Sequence, residues 1–208
     1  MNLDPTLALS QEYSLVKRLD IREKKSLILI NMLGVVLLIA SWFLFTKLVY
    51  WIRPELGNKT LFFSMQGILD TLVFLGILLL VTAVMLFFHE GLHGVCFWAF
   101  TKTHPRFAFK GFYAYAAAPD WYLPKGKYLV TALTPLAGIT LTCLALIAFV
   151  NLSWLPALLW MLVLNTSGSV GDIWVAITLM RTPAEVYVRD SGDIVEFYAQ
   201  VKQSKMTL

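Results

Sequence analysis

Polar and apolar positions along this chain fall into long blocks rather than into fine alternation. Residues 1–25 are polar and of mixed charge, with Lys17, Arg18, Arg22, Lys24 and Lys25 leading into an apolar run over residues 26–51. At ~20 residues per bilayer crossing, that run is long enough to span. A second apolar block, residues 66–100, is too long for one crossing, so its end is expected to project into the interface. Third and fourth blocks cover residues 128–150 and 154–180, and the Asn151–Leu152–Ser153 link between them predicts antiparallel neighbours. The pattern therefore predicts an all-α membrane protein with about four transmembrane helices. The one long connection, residues 101–126 between spans two and three, contains RFAFKGFYAYAAAP, whose alternating aromatics predict a short strand or hairpin at the cytosolic surface. Pro119, Asp120 and Pro124 then mark a turn, and Pro135 is expected to bend the third span.

Three segments follow from this division: a cytosolic lead-in over 1–25, a four-helix membrane domain over 26–180 and a cytosolic tail over 181–208. The lead-in is expected to be amphipathic. The tail carries Glu185, Asp190, Asp193 and Glu196 among apolar residues and is expected to form a strand–turn–helix piece. A cleaved signal peptide is not expected, because the polar start is long and no small-residue cleavage site closes the first apolar run.

Composition strengthens the membrane reading. Of 208 residues, 58% are hydrophobic and 14% charged, and mean hydropathy is +0.70, well beyond a soluble domain. The net charge of +4 is spread over the connections, which gives no nucleic-acid patch, so no nucleic-acid partner is expected. Placing both termini in the cytosol puts Lys102, Arg106, Lys110, Lys125, Lys127, Arg181, Arg189, Lys202 and Lys205 inside. Only Lys47, Arg53 and Lys59 then lie near the outer face, in keeping with the positive-inside rule. Cys96 and Cys143 both sit in apolar blocks, which excludes a secreted disulfide scaffold.

Near the end of the second block the stretch FFHEGLHGVC places ionisable groups where they are costly and usually functional. His89, Glu90 and His93 form H-E-x-x-H, and on a helix this spacing sets both imidazoles on one face, where they can share a zinc ion. Glu90, beside the first ligand, is the candidate general base toward a metal-activated water. The competing reading is a polar cluster that packs helices. A catalytic zinc usually has three protein ligands. Cys96 is ~10 Å along the helix axis from His89, too far to join it. Asp172, in NTSGSVGDIW, is the only carboxylate of the fourth block and is expected at the depth of His89; the small residues before it permit close helix approach. It is the leading third ligand, with His104 as the alternative and an acid paired near Arg181 as the non-ligand reading.

An H-E-x-x-H motif in one membrane helix, a surface β element after it and an aspartate in a later membrane helix together resemble site-2 protease type intramembrane zinc metalloproteases. HEGLHG with the later SGSVGD is more similar to small bacterial membrane proteins of zincin-peptidase type. The resemblance covers about residues 67–181. It implies that His89, His93 and Asp172 bind zinc, that Glu90 is the catalytic acid/base, and that Asn165 helps position substrate or oxyanion. It also implies an integral protein of the bacterial cytoplasmic membrane acting on membrane-protein or peptide substrates; the span lengths and basic residues put its site near the cytosolic face. The site-2 pattern has a proline between its Asn and Asp and a glycine just after Asp, where this chain has Gly168, Ser169 and Ile173. Other readings of the same residues are a zinc-binding membrane protein that transports or senses metal, or a scaffold. The aromatic stretch Phe107, Phe109, Phe112, Tyr113 and Tyr115 either presents a strand edge to substrate or serves as an interfacial anchor belt.

Overall fold

A computed structural model describes residues 3–57, 67–111 and 113–200; Lys59, Gln66, Phe112, Lys202 and Lys205 lie outside the described residues. Helices form where the apolar blocks were: α1 (Lys24–Ile52), α2 (Ile68–Thr101), α3 (Lys125–Ile147), α4 (Leu155–Gly168) and α5 (Val170–Met180). The first three are each long and apolar enough to cross a membrane, and α4 and α5 make a fourth candidate span if the broken pair counts as one. At ~1.5 Å per residue, the 34 residues of α2 extend about 51 Å, well beyond a ~30 Å hydrocarbon core.

The chain is nevertheless not all-α. Six strands accompany the helices among the described residues: β1 (Tyr13–Asp20), β2 (Arg106–Phe109), β3 (Ala114–Ala117), β4 (Tyr122–Pro124), β5 (Val186–Asp190) and β6 (Ile194–Gln200). The expected hairpin in the long connection is β2–β3, paired Arg106↔Ala117 to Phe109↔Ala114, with Gly111 at φ +82° in its turn. The other four strands form an antiparallel sheet in the order β1-β6-β5-β4. The lead-in therefore supplies a strand, and the tail is a β-hairpin rather than strand–turn–helix. The physical reason lies in VYVRDSGDIVEFYAQ, where Val186, Val188, Val195, Phe197 and Ala199 are buried at period two on either side of a turn. Gly192, at φ +86°, gives that turn a conformation other residues rarely adopt.

The structure divides into two compact units that partition the long helices. The first holds Met1–Leu27, Leu92–Leu133 and Asp172–Leu208. Its core joins Leu19 of β1 and the inward valines of β5 and β6 to Phe97 of α2, Tyr128 and Ala132 of α3, and Val175 and Leu179 of α5. The lead-in reaches both edges of the strand order: β1 is itself one edge, its Tyr13 paired with Gln200 of β6, while Thr6 exchanges backbone hydrogen bonds of 3.0 and 2.8 Å with Tyr122 of β4, the other edge.

The second unit holds Ile28–Gly91 and Thr134–Gly171. Ser41, Phe45 and Val49 make the buried stripe of α1 at helical spacing. Trp42 and Trp160 pack edge to face with centroids 6.3 Å apart. Arg53 donates to the carbonyls of Ile147 and Val150 at 3.0 Å each, supplying donors that the C-terminal end of α3 lacks. Outward from the stripe, α1 and α2 expose Met32, Val36, Phe43, Ile68, Leu79 and Phe87. An apolar surface of that extent is abnormal in water and suits lipid.

Candidate metal centre

His89, Glu90 and His93 lie in the unbroken helix α2, so the i, i+4 spacing sets both imidazoles one turn apart on one face. Both histidines are buried, at 6% and 8% exposure, and Glu90 is partly buried. Asp172 stands in the first turn of α5, where an acid suits the helix N-terminus.

Hydrogen bonds settle which nitrogen of each ring carries its proton. His93 Nδ1 lies 2.9 Å from the backbone carbonyl of Thr131. A carbonyl only accepts, so Nδ1 is the N–H donor, and in the neutral ring Nε2 carries the lone pair. His89 Nδ1 lies 3.0 Å from Asn165 Oδ1. The amide is oriented by its other end: Asn165 Nδ2 donates to the carbonyls of Pro135 and Leu136 at 3.3 Å each and approaches Thr140 Oγ1 at 3.4 Å. Oδ1 therefore faces the imidazole, and His89 too presents Nε2 as its lone-pair nitrogen. Metal-binding histidines are commonly held in this way, by giving the other ring N–H to a carbonyl or carboxylate.

His93 Nε2 is 3.4 Å from Asp172 Oδ1. That separation is long for a hydrogen bond and close to the ~3.3 Å edge of a tetrahedron with ~2.0–2.1 Å metal bonds. His89, His93 and Asp172 each offer one ligand atom, and these atoms lie within 4.8 Å of one another. Two imidazole nitrogens and a carboxylate oxygen are a donor set that zinc accepts, so the residues fit the ion that the motif implies.

The other candidates do not join this group. His104 is exposed in the turn before β2, and Cys96 is buried on α2; neither belongs to the metal-competent set among the described residues. Asn165 is fully buried, with both amide ends committed to His89 and α3, which makes it an orienting contact in this structure.

Three participants escaped sequence reasoning. The Thr131 carbonyl is invisible in a side-chain motif, and its only signal is Pro135 four residues on. Tyr128 and Asp190 form a buried pair, Tyr128 Oη donating to Asp190 Oδ2 at 2.5 Å, while Gly192 N–H donates to Oδ1 at 2.7 Å. Burial pushes the Asp190 carboxyl up to about 6, against the lowering effect of those two bonds and of nearby His93. Tyr128 also packs on Phe97, one turn beyond His93 on α2, with centroids 6.4 Å apart. The signal for Asp190 was an acid at the end of an apolar alternating run.

Beside Gly94, the residue after His93, a Cβ would come within 2.3 Å of Phe107 Cζ, so the missing side chain lets the β2–β3 hairpin lie against α2. At the hairpin's other end Tyr113 Oη donates to Asp193 Oδ1 at 2.8 Å, and the Tyr115 ring covers Gly192.

No curated protein and no solved structure gives a match to this chain. A protein family described as "Putative zincin peptidase" matches residues 82–187, just over half of the 208 residues and a span that includes His89, Glu90, His93, Asn165 and Asp172. On that match, the chain belongs to this zincin-type peptidase family.

Proposed function

We propose that this protein is a membrane-embedded zinc metalloprotease that hydrolyses peptide bonds of membrane or membrane-proximal proteins. The observation that carries the proposal is the His89–His93–Asp172 group, in which two non-local acceptors commit both imidazoles to the tautomer a metal needs. Family membership supports zinc-dependent peptidase chemistry, and the three apolar helices support a bilayer setting. His89, His93 and Asp172 are the proposed ligands. When bound, zinc supplies Lewis acidity toward water and the scissile carbonyl.

The chain's own residues do the rest. Glu90, next in sequence to His89, takes the proton of the attacking water and returns it to the leaving amine. Asn165 and the Thr131 carbonyl keep the imidazoles oriented, so no rearrangement is needed during the reaction. Burial of both histidines lowers the local dielectric and strengthens each electrostatic contact. The β2–β3 hairpin, held beside Gly94, offers a strand edge on which an unwound substrate segment can add. The distribution of lysines and arginines supports cytosolic termini and a site near the cytosolic face, and the resemblance to small bacterial membrane proteins of zincin-peptidase type supports a bacterial cytoplasmic membrane.

Elemental analysis of the purified protein tests this reading. The expected result is near one zinc per chain, lost in His93→Ala and Asp172→Ala and kept in Glu90→Gln, with proteolysis abolished in the last. Zinc-free wild type, prepared without chelator, would overturn it. Function preserved in Glu90→Gln would instead establish a metal-binding role without hydrolysis.

A further inference from the structure

Within α3, Pro135 occupies a helix interior, where it removes one rung of the backbone ladder. In an α-helix the N–H of residue 135 would donate to the carbonyl of residue 131. Proline has no such N–H, and its ring crowds the carbonyl four residues back, so Thr131 is left without its regular helical donor. Thr131 is 1% exposed, which shuts out water as a substitute. Its hydroxyl does not compensate either, since Thr131 Oγ1 donates to the Lys127 carbonyl at 3.0 Å. The group that does reach this oxygen is His93 Nδ1, at 2.9 Å.

We propose that Pro135 is a positioning residue of the metal centre: by withholding a backbone N–H it reserves the Thr131 carbonyl for His93, and so sets His93 in the tautomer whose Nε2 can bind metal. The relation is reciprocal. A buried carbonyl gains a partner it would otherwise lack, and a buried imidazole gains an acceptor for which no backbone N–H competes. The other histidine is oriented from the same helix but without the missing N–H: the carbonyls of Pro135 and Leu136 accept from Asn165 Nδ2 and thereby turn Asn165 Oδ1 toward His89. A proline in an apolar helix is thus explained by the metal centre rather than by helix shape alone. This inference rests on the zinc-site reading above for its purpose, though its physical content, the tautomer of His93, does not require the metal.

The test uses the full chain in nanodiscs, with ¹⁵N-labelled histidine. Only three histidines are present, and His104 is exposed, so the ring nitrogens are few enough to assign. In the metal-free wild type, His93 is expected to be protonated at Nδ1. Pro135→Ala restores a donor that competes for the Thr131 oxygen. A population of His93 protonated at Nε2 should appear, and the zinc dissociation constant should rise by about tenfold or more, the usual effect of losing an orienting partner. The metal-free melting temperature should hold or increase, because alanine completes the helix. Replacing residue 135 by lactic acid, which has alanine's side chain and an ester oxygen in place of the N–H, should restore the wild-type tautomer and affinity. An unchanged tautomer in Pro135→Ala overturns the proposal. A fall in metal-free melting temperature that parallels the loss of affinity, with no rescue by the ester, also overturns it and makes Pro135 merely structural. If wild type binds no zinc, the protease reading falls alone, and the tautomer comparison still decides this one.

Discussion

Replacing Asn165 by leucine keeps the branching at Cγ, though with a larger side chain, and removes the side-chain hydrogen bonds by which Asn165 joins α4 to His89 and α3. Asn165 is fully buried, so no water can take its place. Two effects follow, and they can be measured separately. First, His89 Nδ1–H loses its acceptor at 3.0 Å. Loss of such an orienting partner typically weakens metal binding 10–100-fold, or ~1.4–2.7 kcal/mol. Second, the buried imidazole N–H is left without that acceptor even when no metal is present, and the Pro135 and Leu136 carbonyls lose a donor at 3.3 Å. An unsatisfied buried group costs about 1–3 kcal/mol of stability. The zinc dissociation constant, from competition with a chelator of known affinity, and metal-free thermal melting report the two effects. Asn165→Asp keeps an oxygen acceptor for His89 and should recover most of the zinc affinity lost in Asn165→Leu, while the lost amide donor keeps it less stable than wild type. Zinc affinity within twofold of wild type in Asn165→Leu, together with a raised KM, would refute the reasoning and give Asn165 the substrate-side role instead.

Asp190 should make metal-free stability depend on pH. Its folded-state carboxyl titrates at about 6 against an ordinary value of 3.8, so the folded protein holds the extra proton. Stability is therefore greatest below the ordinary value and is lost as pH rises through about 6, by roughly 3 kcal/mol at most. Melting curves across that window should flatten in Asp190→Asn; an equal slope in both proteins would remove Asp190 as the cause. In Gly94→Ala the new methyl meets the far end of the Phe107 ring, which is 58% exposed and can swing away. Zinc content and melting should then stay near wild type while KM rises as the hairpin shifts, and an unchanged KM would detach the hairpin from substrate binding. Gly192→Ala combines a φ of +86° with a Cβ 2.3 Å from the Tyr115 ring. It should cost ~1–3 kcal/mol in thermal or denaturant unfolding, and a neutral result would show that the β5–β6 turn can rearrange.

The parts of this protein that could be read along the chain are those whose physics is local. An apolar block long enough to cross a bilayer carries its own helix signal, because a helix in lipid must satisfy its backbone internally; α1, α2 and α3 fall where the blocks do. The His89–Glu90–His93 spacing is local too, since one helix suffices to put both rings on a face. Asp172 was reachable by elimination, as the lone acid in its apolar block. The β2–β3 hairpin announced itself by the alternation of its aromatics.

What escaped the linear reading depends on residues far apart in the chain. β1 reads as a charged lead-in because five of its eight residues are exposed, and it becomes a strand only by pairing with β6, more than 170 residues away. Asp190 reads as one more acid of a polar tail until Tyr128, 62 residues earlier, donates to it inside the core. The Thr131 carbonyl likewise acquires meaning only opposite His93, 38 residues away, and Asn165, which the resemblance put on the substrate side, is found holding His89, 76 residues away. The motif names two imidazoles, and either ring nitrogen of each is available in the free side chain. Which nitrogen faces a metal is decided by acceptors that folding brings from α3 and α4, and a buried carbonyl released by a proline has no side-chain signature that a motif can record.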